Sequence, residues 1–227
     1  MSVRTKVFFD TPDHVHIVGD YVLPEDDIQS CAVLVHMMPA TRASFSFFQE
    51  ALALGGVASL AIDLRGHGDS VYVNKKEKAL DYRDFSPEQH QQSIWDVRGA
   101  VVYLCQLAAK ESSACALVGA SIGANLAIQC ASEEHSIPLV IALSPGIDYR
   151  GICTLPLIQK MDSSRQHIIL ASSSEDAYSL ESVQKLHQAA PKYSELVTRE
   201  GSEHGTDMLE DYNFALKIAQ ALCTIKA

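Results

Sequence analysis

Positive charge is scarce in this sequence: 18 Lys and Arg stand against 28 Asp and Glu, for a formal charge of -10. A polyanion is held by basic groups that displace its counterions, so nucleic acid is not an expected partner. Long apolar runs are also lacking, and none approaches the roughly 20 residues that cross a bilayer. The opening MSVRTKVFFDTPD has neither the apolar core nor the small-residue cleavage site of a secretory signal. A cytoplasmic chain with no membrane partner is therefore expected. Cys31, Cys105, Cys115, Cys130, Cys153 and Cys223 follow no paired spacing and sit largely in apolar segments, where a reduced thiol packs as a small hydrophobe. Neither disulfides nor a zinc site is expected from that pattern, and the nine histidines form no HExxH and no tight cluster.

What is present is enough apolar material for one large core. With 227 residues, 47% of them hydrophobic, a single domain spanning 1–227 is the simplest reading. Val7 to Phe9 and His14 to Val22 are rich in β-branched and aromatic residues around Thr11-Pro12-Asp13, which predicts an antiparallel hairpin at a sheet edge. After it, short continuous apolar runs alternate with amphipathic stretches, the pattern of a parallel sheet covered on both faces. The runs are Ala32 to His36, Val57 to Ile62, Ala116 to Gly119, Leu139 to Ser144, His167 to Ala171 and Glu195 to Arg199. The fold class is thus α/β, with about eight mostly parallel strands. Helices are predicted at 42–54, 88–110, 122–134, 178–190 and 206–225, with Ser86 capping the second ahead of Pro87. Phe45, Phe47 and Phe48 read as the core face of the first. The charged stretch Asn74 to Lys78 reads as an exposed loop.

The chemistry-bearing signal is Val118-Gly119-Ala120-Ser121-Ile122-Gly123-Ala124, a G-x-S-x-G between an apolar strand and an amphipathic helix. A strand turning sharply into a helix strains its apex residue, and the turn closes only if residues two positions away are small. Gly119 and Gly123 meet that need. The turn lifts the Ser121 hydroxyl from the carboxyl edge of the sheet, and the Ile122 amide points from the helix N-terminus toward the same space.

On these residues the chain resembles the α/β-hydrolase superfamily, and within it the compact dienelactone-hydrolase-like and prolyl-oligopeptidase-like serine esterases. The resemblance runs through His36-Met37-Met38-Pro39, Asp63-Leu64-Arg65-Gly66-His67-Gly68-Asp69-Ser70, the serine elbow, and loops carrying Asp176 and His204, in family order. It implies Ser121 as nucleophile, His204 as general base and Asp176 as the carboxylate that orients it. It further implies the backbone amides of Ile122 and Met38 as oxyanion donors. Met37 replaces the glycine usual after His36, so the oxyanion loop differs from the family pattern. The two methionines are read either as lining an acyl pocket or as core. Met37, Tyr149 and Tyr178 are the candidate substrate-binding residues, and a small-molecule ester is the implied partner. Acyl transfer to serine needs no cofactor, so neither metal nor organic group is implied. Only Ile147 to Gln166 separate the sixth and seventh strands of the expected sheet, too short for a full lid domain.

Rival assignments are weaker. Asp148 lies one strand earlier than Asp176, and Glu175 should point away if strand alternation persists. His36 and His67 read as structural loop histidines, and Asp63 and Asp69 as holding their turn through side-chain to backbone bonds. Ser182 and Lys185 match S-x-x-K, but within a helix and without companion motifs. The same triad would serve a thioesterase, lactonase or peptidase, and a non-catalytic binding protein of the same fold is the alternative outside enzymes.

Overall fold

The structure, a computed structural model, describes residues 2–74 and 76–225, with side chains of 76–79 excepted. The strands are β1 (Val3–Asp10), β2 (Val15–Leu23), β3 (Ser30–Val35), β4 (Val57–Ile62), β5 (Tyr72–Val73), β6 (Lys76–Ala79), β7 (Cys115–Ala120), β8 (Leu139–Leu143), β9 (Asp148–Tyr149), β10 (Ile152–Cys153), β11 (His167–Ser173) and β12 (Ser194–Arg199). The helices are α1 (Ser46–Leu54), α2 (Pro87–Gln91), α3 (Ile94–Ala108), α4 (Ile122–Glu133), α5 (Thr154–Ile158), α6 (Ala177–Ala189) and α7 (Tyr212–Leu222).

The main sheet runs β12-β11-β8-β7-β3-β4-β2-β5-β6, with β1 paired to β2. From β4 to β12 the neighbours along this path are parallel, whereas β1, β2, β5 and β6 add antiparallel pairings at one side. Eight of these strands are the eight expected. The continuous apolar runs follow from burial on both faces: along β3, Cys31, Val33 and Val35 join one core while Ala32 and Leu34 join the other. The first core is closed by α3, α4 and α6 through residues such as Val97, Leu104, Leu126 and Leu186. The second is closed by α1 and α7 through Phe48, Leu52, Phe214 and Ile218. Each fully buried side chain of this size stabilises by roughly 1.5–3 kcal/mol. Among the described residues, no helix is long and apolar enough to cross a membrane.

Several expectations need correction. The helix read at 88–110 is two, because i to i+3 bonds such as Trp95 N to Gln92 O (3.0 Å) and Asp96 N to Ser93 O (3.1 Å) tighten the chain between them. That break lets His90 and Asp96, six residues apart and on different faces of a regular helix, both turn inward to 3% and 0% exposure. Ser86 does cap α2, in a reciprocal pairing with Gln89 ahead of Pro87. The helices read from 42 and 206 begin as 3-10 turns, at Arg42–Phe45 and Gly205–Glu210. Phe47 is 55% exposed and packs on the Tyr212 ring rather than in the core with Phe45 and Phe48. Within the stretch read as a loop, β6 starts at Lys76 and pairs with β5; Lys75 lies outside the described residues.

Candidate active site

The end of β7 shows why the serine elbow needs its glycines. Ser121 sits at φ 54° and ψ -120°, a conformation L-residues rarely adopt and that costs about 1–3 kcal/mol unless its surroundings enforce it. They do: a Cβ on Gly119 would lie 2.2 Å from Gly123 O, and one on Gly123 would lie 2.3 Å from Val35 O. The Ser121 amide donates to Leu143 O (2.8 Å), and its carbonyl accepts from Ala124 and Asn125 as α4 begins. The Ile122 amide is the first of the helix, at the positive end of the dipole.

Asp176 and His204 come from the loops after β11 and β12. Asp176 caps α6, accepting from the Ser179 amide through Oδ1 (3.4 Å), while its Oδ2 accepts from His204 Nδ1 at 2.6 Å. Burial raises the Asp176 pKa, but hydrogen bonds from His204 and Ser179 outweigh it and leave the group below its usual value. A bonded carboxylate on Nδ1 fixes the tautomer and leaves Nε2 to take a proton. The histidine loop is pinned on both sides, by Ser173 Oγ donating to Glu203 O (2.6 Å) and by the Gly205 amide donating to Ser144 Oγ (3.0 Å). Gly205 is packed so closely that a Cβ there would lie 3.3 Å from Ala120 Cβ and 2.7 Å from Met37 Sδ. The histidine loop therefore abuts the elbow. Among the described residues the imidazole, 36% exposed, is hydrogen-bonded through Nδ1 only, and Ser121 Oγ faces the Tyr149 phenol rather than closing a bond to Nε2.

Met37 and Met38 follow β3, and both are half-buried against opposite cores, Met37 toward α1 and α7, Met38 toward α3 and α4. His36 fixes their backbone: Nδ1 donates to Met37 O (2.7 Å) and Nε2 accepts from the Leu64 amide (3.0 Å). Its pKa is pushed down to about 4 by burial, so it is a neutral strut. His67 stacks on Tyr82 at 3.9 Å and is also lowered to about 4, by burial and then by His36.

Tyr149 lies on the small β9-β10 hairpin. Asn125 ties that hairpin to α4, its Nδ2 donating to Ile152 O (2.9 Å) and its Oδ1 accepting from the Gly146 amide (3.0 Å). Tyr149 packs edge-to-face on Tyr178 with ring centroids 5.6 Å apart, and the Tyr178 hydroxyl donates to Asp148 O (3.0 Å). Burial raises the Tyr149 pKa, opposed by the hydroxyls of Ser179 and Ser121 that face it. Sequence reading missed Asn125, Ser144, Ser173 and Ser179. Asn125 carried a usable signal, a single amide inside the apolar span of α4; the serines carried none.

The rival residues fall elsewhere. Asp148 accepts from the Gly151 amide (2.7 Å) and the Cys153 thiol (3.2 Å), so it is engaged within its own hairpin. Glu175 is exposed. Ser182 Oγ donates to Tyr178 O (2.7 Å) inside α6, and Lys185 pairs with Glu181. Asp63 does hold its turn, accepting from the Asp69 amide (2.8 Å) and the Arg42 amide (2.8 Å). Asp69 does not: its carboxylate bonds the side chains of Lys6 and Arg42, each at 2.8 Å.

A parallel sheet in this order, with its serine at a strained strand-to-helix apex and an Asp-His pair on the last two loops, defines an α/β-hydrolase. Residues 26–217 match the serine aminopeptidase S33 family, and the chain belongs to it. A comparison with curated proteins finds no match. Among solved structures, the chain is similar to a Pyrococcus furiosus esterase, with a TM-score of 0.76 and 18% identity over 97% of this chain and 92% of that one. It is similar to dienelactone hydrolase from Anabaena variabilis, with a TM-score of 0.75 and 16% identity over 99% and 96% of the two chains. A cold-adapted esterase from an Arctic intertidal metagenomic library has a TM-score of 0.73 and 14% identity, over 99% and 94%. Identities this low carry the fold and not the substrate.

Proposed function

We propose that the protein is a serine carboxylesterase that cleaves small esters through an acyl-enzyme. The observation that carries this reading is the 2.6 Å bond between His204 Nδ1 and Asp176 Oδ2, on a loop packed against the Ser121 elbow. In the first step Ser121 Oγ turns from Tyr149 toward Nε2, loses its proton to His204 and attacks the ester carbonyl carbon. Asp176 holds the tautomer and steadies the imidazolium that forms. The amides of Ile122 and Met38 receive the negative oxygen, and His204 then protonates the departing alkoxide. Water, activated by the same imidazole, attacks the acyl carbon and returns the serine.

The Ile147 to Gln166 crossover holds only the β9-β10 hairpin and α5, which fits a small substrate better than an enclosed lipid. Met37, Tyr149 and Tyr178 line the acyl side in this reading. Six free thiols are consistent with a reducing, cytoplasmic setting. The test is a panel of p-nitrophenyl esters of increasing chain length, run on wild type and Ser121→Ala. Turnover greatest for short acyl chains and lost in the variant is expected. Equal turnover by both proteins, or no turnover of any ester alongside cleavage of a peptide or lactone, would overturn the esterase assignment.

A further inference from the structure

Three of the six cysteines, distant in sequence, are neighbours in space. Cys31 of β3 and Cys115 of β7 are register partners on adjacent parallel strands, and Cys105 of α3 comes down on the same sheet face. The sulfurs of all three lie within 4.8 Å of one another. Among the described residues this is the one group of three or more Cys, His, Asp or Glu side chains gathered so closely. We propose that Cys31, Cys105 and Cys115 bind a divalent d10 metal ion of the zinc class as three thiolates.

The distances fit the ion. Zinc-sulfur bonds of roughly 2.3 Å place tetrahedral ligand sulfurs roughly 3.8 Å apart, a separation that small side-chain rotations reach from here. The elements fit as well, since two ligands are fixed by a shared strand pair and the third by a packed helix. Access is through Cys105, the half-buried member, which lines a surface depression of about 470 Å³ together with Lys110, Glu111 and Glu134. That side leaves the fourth coordination position to water. Binding releases three thiol protons to solvent and leaves the cluster with one net negative charge. Lys110 is placed to offset it: Ala109 ends α3 in a left-handed turn at φ 51°, the Lys110 amide donates back to Cys105 O (3.0 Å), and Lys110 lines the same depression as Cys105.

The site lies at the end of β3 and β7 opposite Ser121, so its occupancy is read by binding and not by turnover. The experiment titrates Cd(II) alone into the reduced, oxygen-free protein and follows the thiolate-to-cadmium charge-transfer absorption, with Zn(II) then added as competitor. Wild type should saturate at one ion per chain and lose the band to zinc. Cys105→Ser should weaken cadmium binding by more than the roughly 100-fold that loss of an outer-shell partner costs. Cys31→Ala removes a different ligand with a smaller side chain and should do the same. The double variant Cys153→Ser, Cys223→Ser, which removes the two exposed thiols, should bind as wild type does. A band that survives both ligand variants, that disappears in the double variant, or that never forms in wild type would overturn the site.

Discussion

Three histidines stand in loops at the carboxyl edge of the sheet, and two of them differ from the third in what their rings have left to offer. His36 has both nitrogens engaged, by Met37 O and the Leu64 amide, and is fully buried. His67 is stacked against Tyr82 and 4% exposed. His204 has one nitrogen held by Asp176 and the rest of an imidazole that is 36% exposed. His67 bonds Arg65 O through Nδ1 (3.1 Å), has no partner at Nε2 among the described residues, and is held by ring contacts with Tyr82 and His36. A histidine with both nitrogens engaged, as in His36, is a strut. One tethered on a single side, beside a strained serine, can move a proton.

Substitutions that attack each side of this contrast should separate cleanly. Ser121→Ala should lower kcat/KM on a short ester by on the order of 10⁵-fold or more, with a melting curve close to wild type. Asp176→Asn should cost about 10³- to 10⁴-fold, because an amide there no longer enforces the Nδ1-H tautomer; steady-state kinetics at neutral pH reads it. His36→Leu should act on stability instead, costing about 2–3 kcal/mol in urea unfolding by leaving the Leu64 amide and Met37 carbonyl unpaired.

The smallest effect is a slope. His36 and His67 are held neutral in the fold, each lowered from 6.5 to about 4. The unfolded chain therefore binds their protons first as pH falls. Stability attributable to them is complete above pH 6.5 and drains away between 6.5 and 4. His67→Phe, which keeps a ring against Tyr82, should flatten part of that acid loss in unfolding measured across this window. An unchanged slope would show that these histidines are not the neutral struts described.

Much of the fold, and the serine turn within it, was legible from residues alone, and what was legible had local cause. The elbow announces itself because the backbone demand at Ser121 falls on neighbours two positions away, whereas Asp176 and His204 were singled out only through the family resemblance, each in the loop after an expected strand. What escaped depends on contacts between distant segments. The β9-β10 hairpin, α5 and the β5-β6 pair are too short to write a period. Phe47 belongs to an aromatic run yet turns to Tyr212 at the surface. Cys31 and Cys115 become neighbours only once β3 and β7 are known to pair in that register. Asp69 looked like a turn-holding aspartate, but Lys6 of β1 and Arg42 reach it from elsewhere in the chain.

Covalent capture is the most direct test of Ser121 as a nucleophile activated by His204. Folded wild-type protein incubated with a fluorophosphonate should carry one adduct, mapped by peptide mass to Ser121, and His204→Ala should form it far more slowly. An unlabelled Ser121 in folded protein, or labelling at an undiminished rate without His204, would contradict the account.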